Sequence, residues 1–544
     1  MGTVFSSTGG TLLICILAVA AYFGSHAIRP KPLAGIPYNR DGAARLFGHI
    51  PEMVGFVMKT GQAFGWLTSL TEHHRSPIIQ AFVKPGSLPW VVLTDPMEAQ
   101  DILLRRTKEF DRSGFFGELI GGILLEQHIQ FLSSDSRFKN NRNLINHLMA
   151  PTFITNVSAP EMYKSILTLI NLWQTKCEIA EGRPFSAHHD ITYAALDGIF
   201  ASSFGSMDEP VPFPERKVPL LFSSVLTLAN SVTDTQLSPA PVLTSWVLRK
   251  LPYMIKATAV KDDYIRSKVR ESEQLINQGL TQPQSALHSV LKREKEVADK
   301  EGRHDYYKRA IADEFFGFMM AGHDTSATAI AWGVKFLTNN QDKQDRLRAE
   351  LRAGYAAAAR ENRTPTYDEL VKTQIPYLDA AVEILRHANT IAFVVREALQ
   401  DTRVLGRHIP KGTNVFLMAN GAGYLKLNMR LSDADRSIGA RRSEGKSLTG
   451  LWDDSDVKVF QPERWLKEDG SFNPPSRATT GFGQGPRGFF VRKLALLTLK
   501  MQFALVVWHF KLLTTPQKLS GTDAVQRFAL EPKQCCIRLE KVDI

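Results

Sequence analysis

Phe482-Gly483-Gln484-Gly485-Pro486-Arg487-Gly488-Phe489-Phe490-Val491-Arg492-Lys493-Leu494-Ala495 is the stretch on which the fold is decided. Two of its positions carry most of the chemistry. Phe489 is a benzyl side chain with no lone pair to offer a metal. Val491 is β-branched and resists both positive φ and close backbone approach, which Gly tolerates. Upstream, residues 305–338 are mostly apolar and free of Pro, which predicts a long buried helix. In its middle, Ala321-Gly322-His323-Asp324-Thr325-Ser326 sets a Gly, an acid and two hydroxyls close together. These are poor helix formers, because their side chains compete for backbone hydrogen bonds, so a weak spot is expected there. Glu383-Ile384-Leu385-Arg386 falls in a segment, 377–387, that reads as helical. The i, i+3 spacing puts its carboxylate and guanidinium on one face. Further on comes Phe460-Gln461-Pro462-Glu463-Arg464-Trp465. Arg142 stands four residues after Phe138, and Arg396 follows a β-rich stretch, 391–395.

Taken together and in this order, these segments resemble the cytochrome P-450 monooxygenases. The loop 482–495 is similar to the family's haem-ligand loop except at two positions: Phe489 stands where that loop has the Cys that binds iron, and Val491 where it has Gly. The resemblance implies that Ala321–Ser326 lies over the haem in an opened helix, with Asp324 and Thr325 relaying protons, a general-acid role. It implies that Glu383, Arg386 and Arg464 form a buried network, one carboxylate shared by two bidentate donors. It further implies that Arg142, Arg396 and Arg487 face the haem propionates, with Phe482 at the start of the ligand loop. A thiolate pushes charge onto iron and favours O–O cleavage, and Phe489 supplies none. Haem is thus the cofactor implied, with its ligation in question. Iron with water as its only axial ligand, or no haem at all, is the expected result, and the chain is expected to be impaired or inactive as a haem-thiolate oxygenase.

No other residue is placed to supply the missing bond. Cys15 lies in an N-terminal apolar segment, Cys177 stands alone, and Cys535 and Cys536 are adjacent near a final strand at 537–539. None has metal-site spacing. His387 and His408 are not placed beneath the iron by the resemblance. Val491 is expected to disturb both loop geometry and haem contact.

A length of 544 residues would ordinarily suggest several domains, but motifs spread from Phe138 to Arg487 must converge on one cofactor. The fold class is therefore read as mainly α with a small β portion (α+β), a single P-450-like domain over 41–544. The β portion begins with strands at 78–83 and 90–94 joined through Lys84-Pro85-Gly86-Ser87. Asp95-Pro96 then reads as an N-cap followed by Pro at the first helical position. Residues 1–28 read as an uncleaved transmembrane anchor. The uncharged run reaches the ~20 residues a helix needs to span a bilayer, and Arg29, Lys31 and Arg40 follow it. Residues 29–40 form a Pro-rich hinge. The resemblance places the chain in the endoplasmic reticulum membrane as a single-pass protein, its large domain facing the cytosol.

The net charge is +11, but Lys and Arg are dispersed among nearly as many acids, which argues against nucleic acid as a partner. By resemblance, the partners are an NADPH-dependent flavoprotein reductase, docked near Arg492 and Lys493, and a lipophilic small molecule such as a terpenoid or polyketide. Substrate contacts are expected from 114–127, 213–234, 315–325 and 389–395. Residues 292–308 and 431–455 read as polar surface excursions. Wording at 386–391 and 408–413 looks like the filamentous-fungal branch, whose members often tailor secondary metabolites. Two alternatives to a failed oxygenase stand beside it: an oxygen-independent isomerase or cyclase using the same pocket, and a non-catalytic, membrane-tethered binding protein.

Overall fold

A computed structural model describes residues 29–205, 218–236, 238, 240–381, 383–426, 429, 431–432, 434–441, 456–473 and 481–542. The expected anchor (1–28), Cys15, the first part of the 213–234 contact segment and all of 442–455 lie outside them. Among the described residues no helix is long and apolar enough to cross a membrane.

The early β portion forms as expected. Strand β1 (Ile78–Ala81) pairs antiparallel with β2 (Trp90–Leu93). Asp95 then caps helix α1 (Pro96–Leu104), accepting from the Glu98 backbone N–H at 2.8 Å, with Pro96 in the first turn where its missing N–H costs nothing. Three more strands complete one sheet: β3 (Phe110–Arg112), β4 (Phe393–Ala398) and β5 (Asn414–Met418), in the order β1-β2-β5-β4-β3. The 29–40 segment is tied to this sheet. Gln80 of β1 donates to the Leu33 and Ile36 carbonyls at 2.8 Å each, and Ile36 is buried.

The rest is mainly helical. Helix α2 (Ser136–Ile145) carries Arg142, and α3 (Ala159–Ala180) and α4 (His188–Phe204) pack on each other. The long buried helix is α5 (Arg309–Asn339), close to its expected span. It lies against α4, against α6 (Glu383–Ala388), and against α7 (Arg492–His509), which starts directly after the Phe489 loop. Apolar residues all round α5 explain its position: Phe316, Met319, Ile330 and Val334 are buried, each contributing ~1.5–3 kcal/mol. Two details differ from expectation. Residues 376–388 are not one helix but a short Pro376–Ala380 turn of helix followed by α6. And α5 runs unbroken through Ala321–Ser326, because the surrounding helices hold its backbone regular against local propensity.

Near the C-terminus, β6 (Ala524–Gln526) and β7 (Leu530–Pro532) form a hairpin that lies on α5, where the Trp332 indole donates to the Leu530 carbonyl at 2.8 Å. The final strand, β8 (Cys536–Lys541), matches the expected one. Cys535 precedes it and is buried, while Cys536 is half-buried.

Candidate functional site

The 482–495 loop is a tight structure whose backbone needs its glycines. Gly483 and Gly485 have φ of +61° and +70°, and a Cβ on Gly485 would sit 2.2 Å from the Leu103 carbonyl oxygen. The Phe489 N–H donates to the Phe482 carbonyl at 2.7 Å, closing the loop, and the two rings stack 5.9 Å apart. The expectation that Val491 strains the backbone is overturned. Its φ and ψ are −88° and 10°, in the bridge region just before α7, so no positive φ is forced on the β-branched residue. Its side chain is buried.

Three cavities adjoin around the loop. One of about 190 Å³ lies between α2, α5 and β4, a second of about 360 Å³ between α5, α6 and α7, and a third of about 30 Å³ beneath α5. Gly481 and Phe482 line both of the larger two, and Phe489 and Val491 line both the first and the smallest. Phe482 thus stands between the two larger cavities and Phe489 between the first and the smallest.

The first cavity has a basic wall. Arg142, Arg396 and Arg487, all expected there from the sequence, line it together with Arg112, which sequence reasoning missed. Arg487 donates through Nε to Asp111 Oδ1 (3.2 Å) and Ser133 Oγ (2.9 Å) and through Nη2 to the Phe131 carbonyl, and its guanidinium lies 3.9 Å from the Phe138 ring centre. Arg142 lies over Phe490 at 5.1 Å, and Arg112 over Phe116 at 3.8 Å. Arg112 Nε and Nη2 are buried and have no partner. Burial first, then the positive charges of Arg396 and Arg487, hold the Arg112 guanidinium well below its ordinary pKa. Burial and the nearby Arg487 charge likewise push Arg396 down to about 10. Asp111 and Glu314 are the acids at this wall, and Glu314 is already engaged with the His128 backbone N–H (2.6 Å) and Nδ1 (2.7 Å). The cavity thus has an excess of buried positive charge with donors unspent, which suits an anionic ligand.

Apolar side chains line the same cavity. Phe116, Phe318, Ile391 and Phe393 come from three of the four segments expected to contact a substrate. The helix motif is distributed differently from expectation. Gly322 and Ser326 share the smallest cavity with Phe489, whereas Thr325 faces the second cavity and donates to the Ala321 carbonyl at 2.7 Å. Asp324 turns toward the C-terminal hairpin and hydrogen-bonds with the Ala529 backbone. Its Oδ2 is buried without a partner, and burial raises its pKa. The structure therefore does not bring Asp324 to the cavity wall beside Thr325. Of the motif's hydroxyls, Ser326 lines the cavity shared with Phe489, alongside Ser165 and Thr498 from other helices, and its i, i+4 relation to Gly322 is the sequence signal that could have shown it.

The expected network is present. Glu383 accepts from Arg386 Nε (2.9 Å) and Nη2 (2.6 Å), from Arg464 Nε (3.1 Å) and from Trp465 Nε1 (2.8 Å). Arg464 also holds Asp456 at 2.9 Å. Despite deep burial, hydrogen bonds from Arg386 and His387 bring Glu383 down to about 2. The indole of Trp465 is an addition that the sequence did not announce.

The described thiols lie away from the loop: Cys177 bonds to the Leu539 carbonyl, Cys535 to the Ala331 carbonyl, and Cys536 is in β8 opposite Ser186. Among the described residues no group of three or more His, Cys, Asp or Glu could hold a metal.

Comparison with known proteins agrees with this architecture. The family profile described as Cytochrome P450 matches residues 54–424 and 451–536. The chain is 32% identical over 590 residues to the cytochrome P-450 monooxygenase TRI13 of Fusarium sporotrichioides, covering 98% of this chain and 99% of that one. It is 34% identical to the monooxygenase GME11363 of Pestalotiopsis microspora, again over 98% and 99% of the two chains. To xilC of Penicillium rubens it is 30% identical, over 97% and 96%. On this fold, this loop and these matches, the chain belongs to the cytochrome P-450 family.

Proposed function

We propose that this chain descends from membrane-bound fungal monooxygenases of secondary metabolism and is impaired or inactive as a haem-thiolate oxygenase. Haem is the group the family implies, and the residues fit only part of it. The buried, unpartnered Arg112 donors beside Arg142, Arg396 and Arg487 suit the two carboxylates at a porphyrin's edge. The metal side does not fit, because Phe489 holds the loop position from which a thiolate would reach iron and none of the described thiols lies at the loop. That single observation carries the proposal, and no oxygen-activating step is assigned to these residues.

Other parts of the reading have supports of their own. The apolar wall of the first cavity favours a lipophilic substrate. Arg492 and Lys493 are exposed at the start of α7, where an acidic flavoprotein reductase could be steered by charge. Helix Pro241–Leu248 exposes Val242, Leu243 and Trp246, each at 60% or more, an apolar face suited to a membrane surface in addition to an N-terminal anchor at 1–28. The endoplasmic reticulum, with the large domain in the cytosol, is the proposed location.

The deciding experiment is haem content per purified chain with the reduced carbon monoxide difference spectrum. No haem, or haem without thiolate character, is expected. A strongly red-shifted thiolate-type band would overturn the proposal.

A further inference from the structure

Phe489 removes a metal bond from the site but leaves its basic wall intact, and these two facts have different consequences for binding. Arg112 is 7% exposed and Arg396 4%, so two guanidinium groups are held out of water on paired strands. Nε and Nη2 of Arg112 have no partner, and the nearby acids are committed: Asp111 to Arg487 and Ser133, Glu314 to His128. Carboxylates entering here would gain charge-assisted hydrogen bonds to donors already desolvated, and would not have to displace an internal partner. The neighbouring rings offer faces for an extended π-system. Phe482 and Phe489 stack on each other, Phe482 lining the cavities of about 190 and 360 Å³ and Phe489 those of about 190 and 30 Å³, so each ring stands at the boundary of two spaces.

We infer that this cavity binds a tetrapyrrole dicarboxylate through its acidic edge and ring faces alone, so that affinity is independent of the metal at the ring's centre. The inference rests on the reading that Phe489 leaves iron without a protein ligand. It goes further in assigning the site a retained ligand class and a changed selectivity. His128 is the histidine lining this cavity, and its Nδ1 is bonded to buried Glu314.

The full-length chain, purified in detergent, is titrated with haemin, zinc protoporphyrin, metal-free protoporphyrin and the metal-free dimethyl ester, each against a detergent blank. The first three are expected to bind with dissociation constants within about threefold of one another, and the diester at least about tenfold more weakly. Arg112→Gln is expected to weaken the three acids alike. Phe489→Cys is expected to tighten haemin at least about tenfold while leaving the metal-free ring unchanged. Because that variant is compared with itself on two ligands, a folding defect does not imitate the result.

Haemin binding about tenfold or more tighter than the metal-free ring in the unaltered chain overturns the inference. With a thiolate-type spectrum the loss of oxygenation proposed above falls with it, whereas with an imidazole-type spectrum that reading stands and His128 is implicated. Equal binding of the diester overturns recognition through the acidic edge. Binding of none of the three acids overturns the inference and leaves the proposed loss of oxygenation untouched.

Discussion

Arg112 and Arg396 are directly opposite each other in the antiparallel pairing of β3 with β4, both buried, and Asp111, the acid that acts on both, is hydrogen-bonded instead to Arg487 and Ser133. Like charges in such positions oppose folding, and each is also deprived of water. Arg112→Met keeps the apolar contact with Phe116 and removes the charge. It is expected to stabilise the ligand-free protein by about 1–3 kcal/mol in denaturant unfolding. A loss of stability would mean that Arg112 has an internal role that its unpartnered donors do not reveal.

Glu383 is the reverse case, a buried carboxylate with every oxygen engaged by Arg386, Arg464 and Trp465. Glu383→Ala leaves two guanidinium groups and an indole N–H without it and is expected to cost about 3–5 kcal/mol. Trp465→Phe keeps an aromatic ring, smaller than the indole, and loses one hydrogen bond to a charged acceptor, so at least about 1.5–3 kcal/mol is expected. Equal losses in the two variants would show that the indole, by its packing and its hydrogen bond together, matters to this corner as much as the carboxylate does. The pKa of Glu383 is lowered in the fold to about 2. Its contribution is therefore fully present above its ordinary value of 4.5 and is lost as pH falls toward 2.

The parts legible in the sequence were those whose cause is local. The Asp95-Pro96 cap, the β1–β2 hairpin and the apolar run of α5 each follow from a few neighbouring residues. Glu383 and Arg386 were readable because i, i+3 spacing is local too. Arg112 was not, because β3 is only three residues long and its pairing with β4 joins distant parts of the chain. The failure of α5 to open at Ala321–Ser326 has the same origin. Propensity gave a weak spot, and packing by α4, α6 and α7 overrode it. The turning of Asp324 toward the hairpin depends on Ala529, two hundred residues away in sequence, and no local pattern contains that.

Glu531, in β7, offers a pH-dependent test of that hairpin. Burial and the charge of Asp324 raise its pKa to about 7, against the opposing effect of Arg527 at 3.3 Å, and His188 stands 3.8 Å away. An acid whose pKa is raised on folding binds more protons in the native state between 4.5 and 7, so stability falls as pH rises through that window. The integrated effect is at most about 3 kcal/mol. Glu531→Gln is expected to flatten the fall, making the variant more stable than the parent at pH 8 and no more stable at pH 4. A parallel shift at both pH values would assign the effect to packing.

Val491 separates two ways in which the altered loop could matter. Were its β-branched side chain straining the backbone, Val491→Gly would stabilise the protein. With φ at −88° there is no positive-φ strain for Gly to relieve, and the side chain is buried. The substitution instead loses apolar burial and frees the backbone at the start of α7, so a loss of about 1.5–3 kcal/mol is expected in thermal or denaturant unfolding. The same side chain lines two of the cavities beside Phe489, so removing it enlarges the space above the loop. Phe489→Cys with Val491→Gly is accordingly expected to hold more haem per chain than Phe489→Cys alone while being less stable without it. Equal haem content in the two, with the stability difference intact, would confine Val491 to packing and leave Phe489 as the sole lesion in the loop.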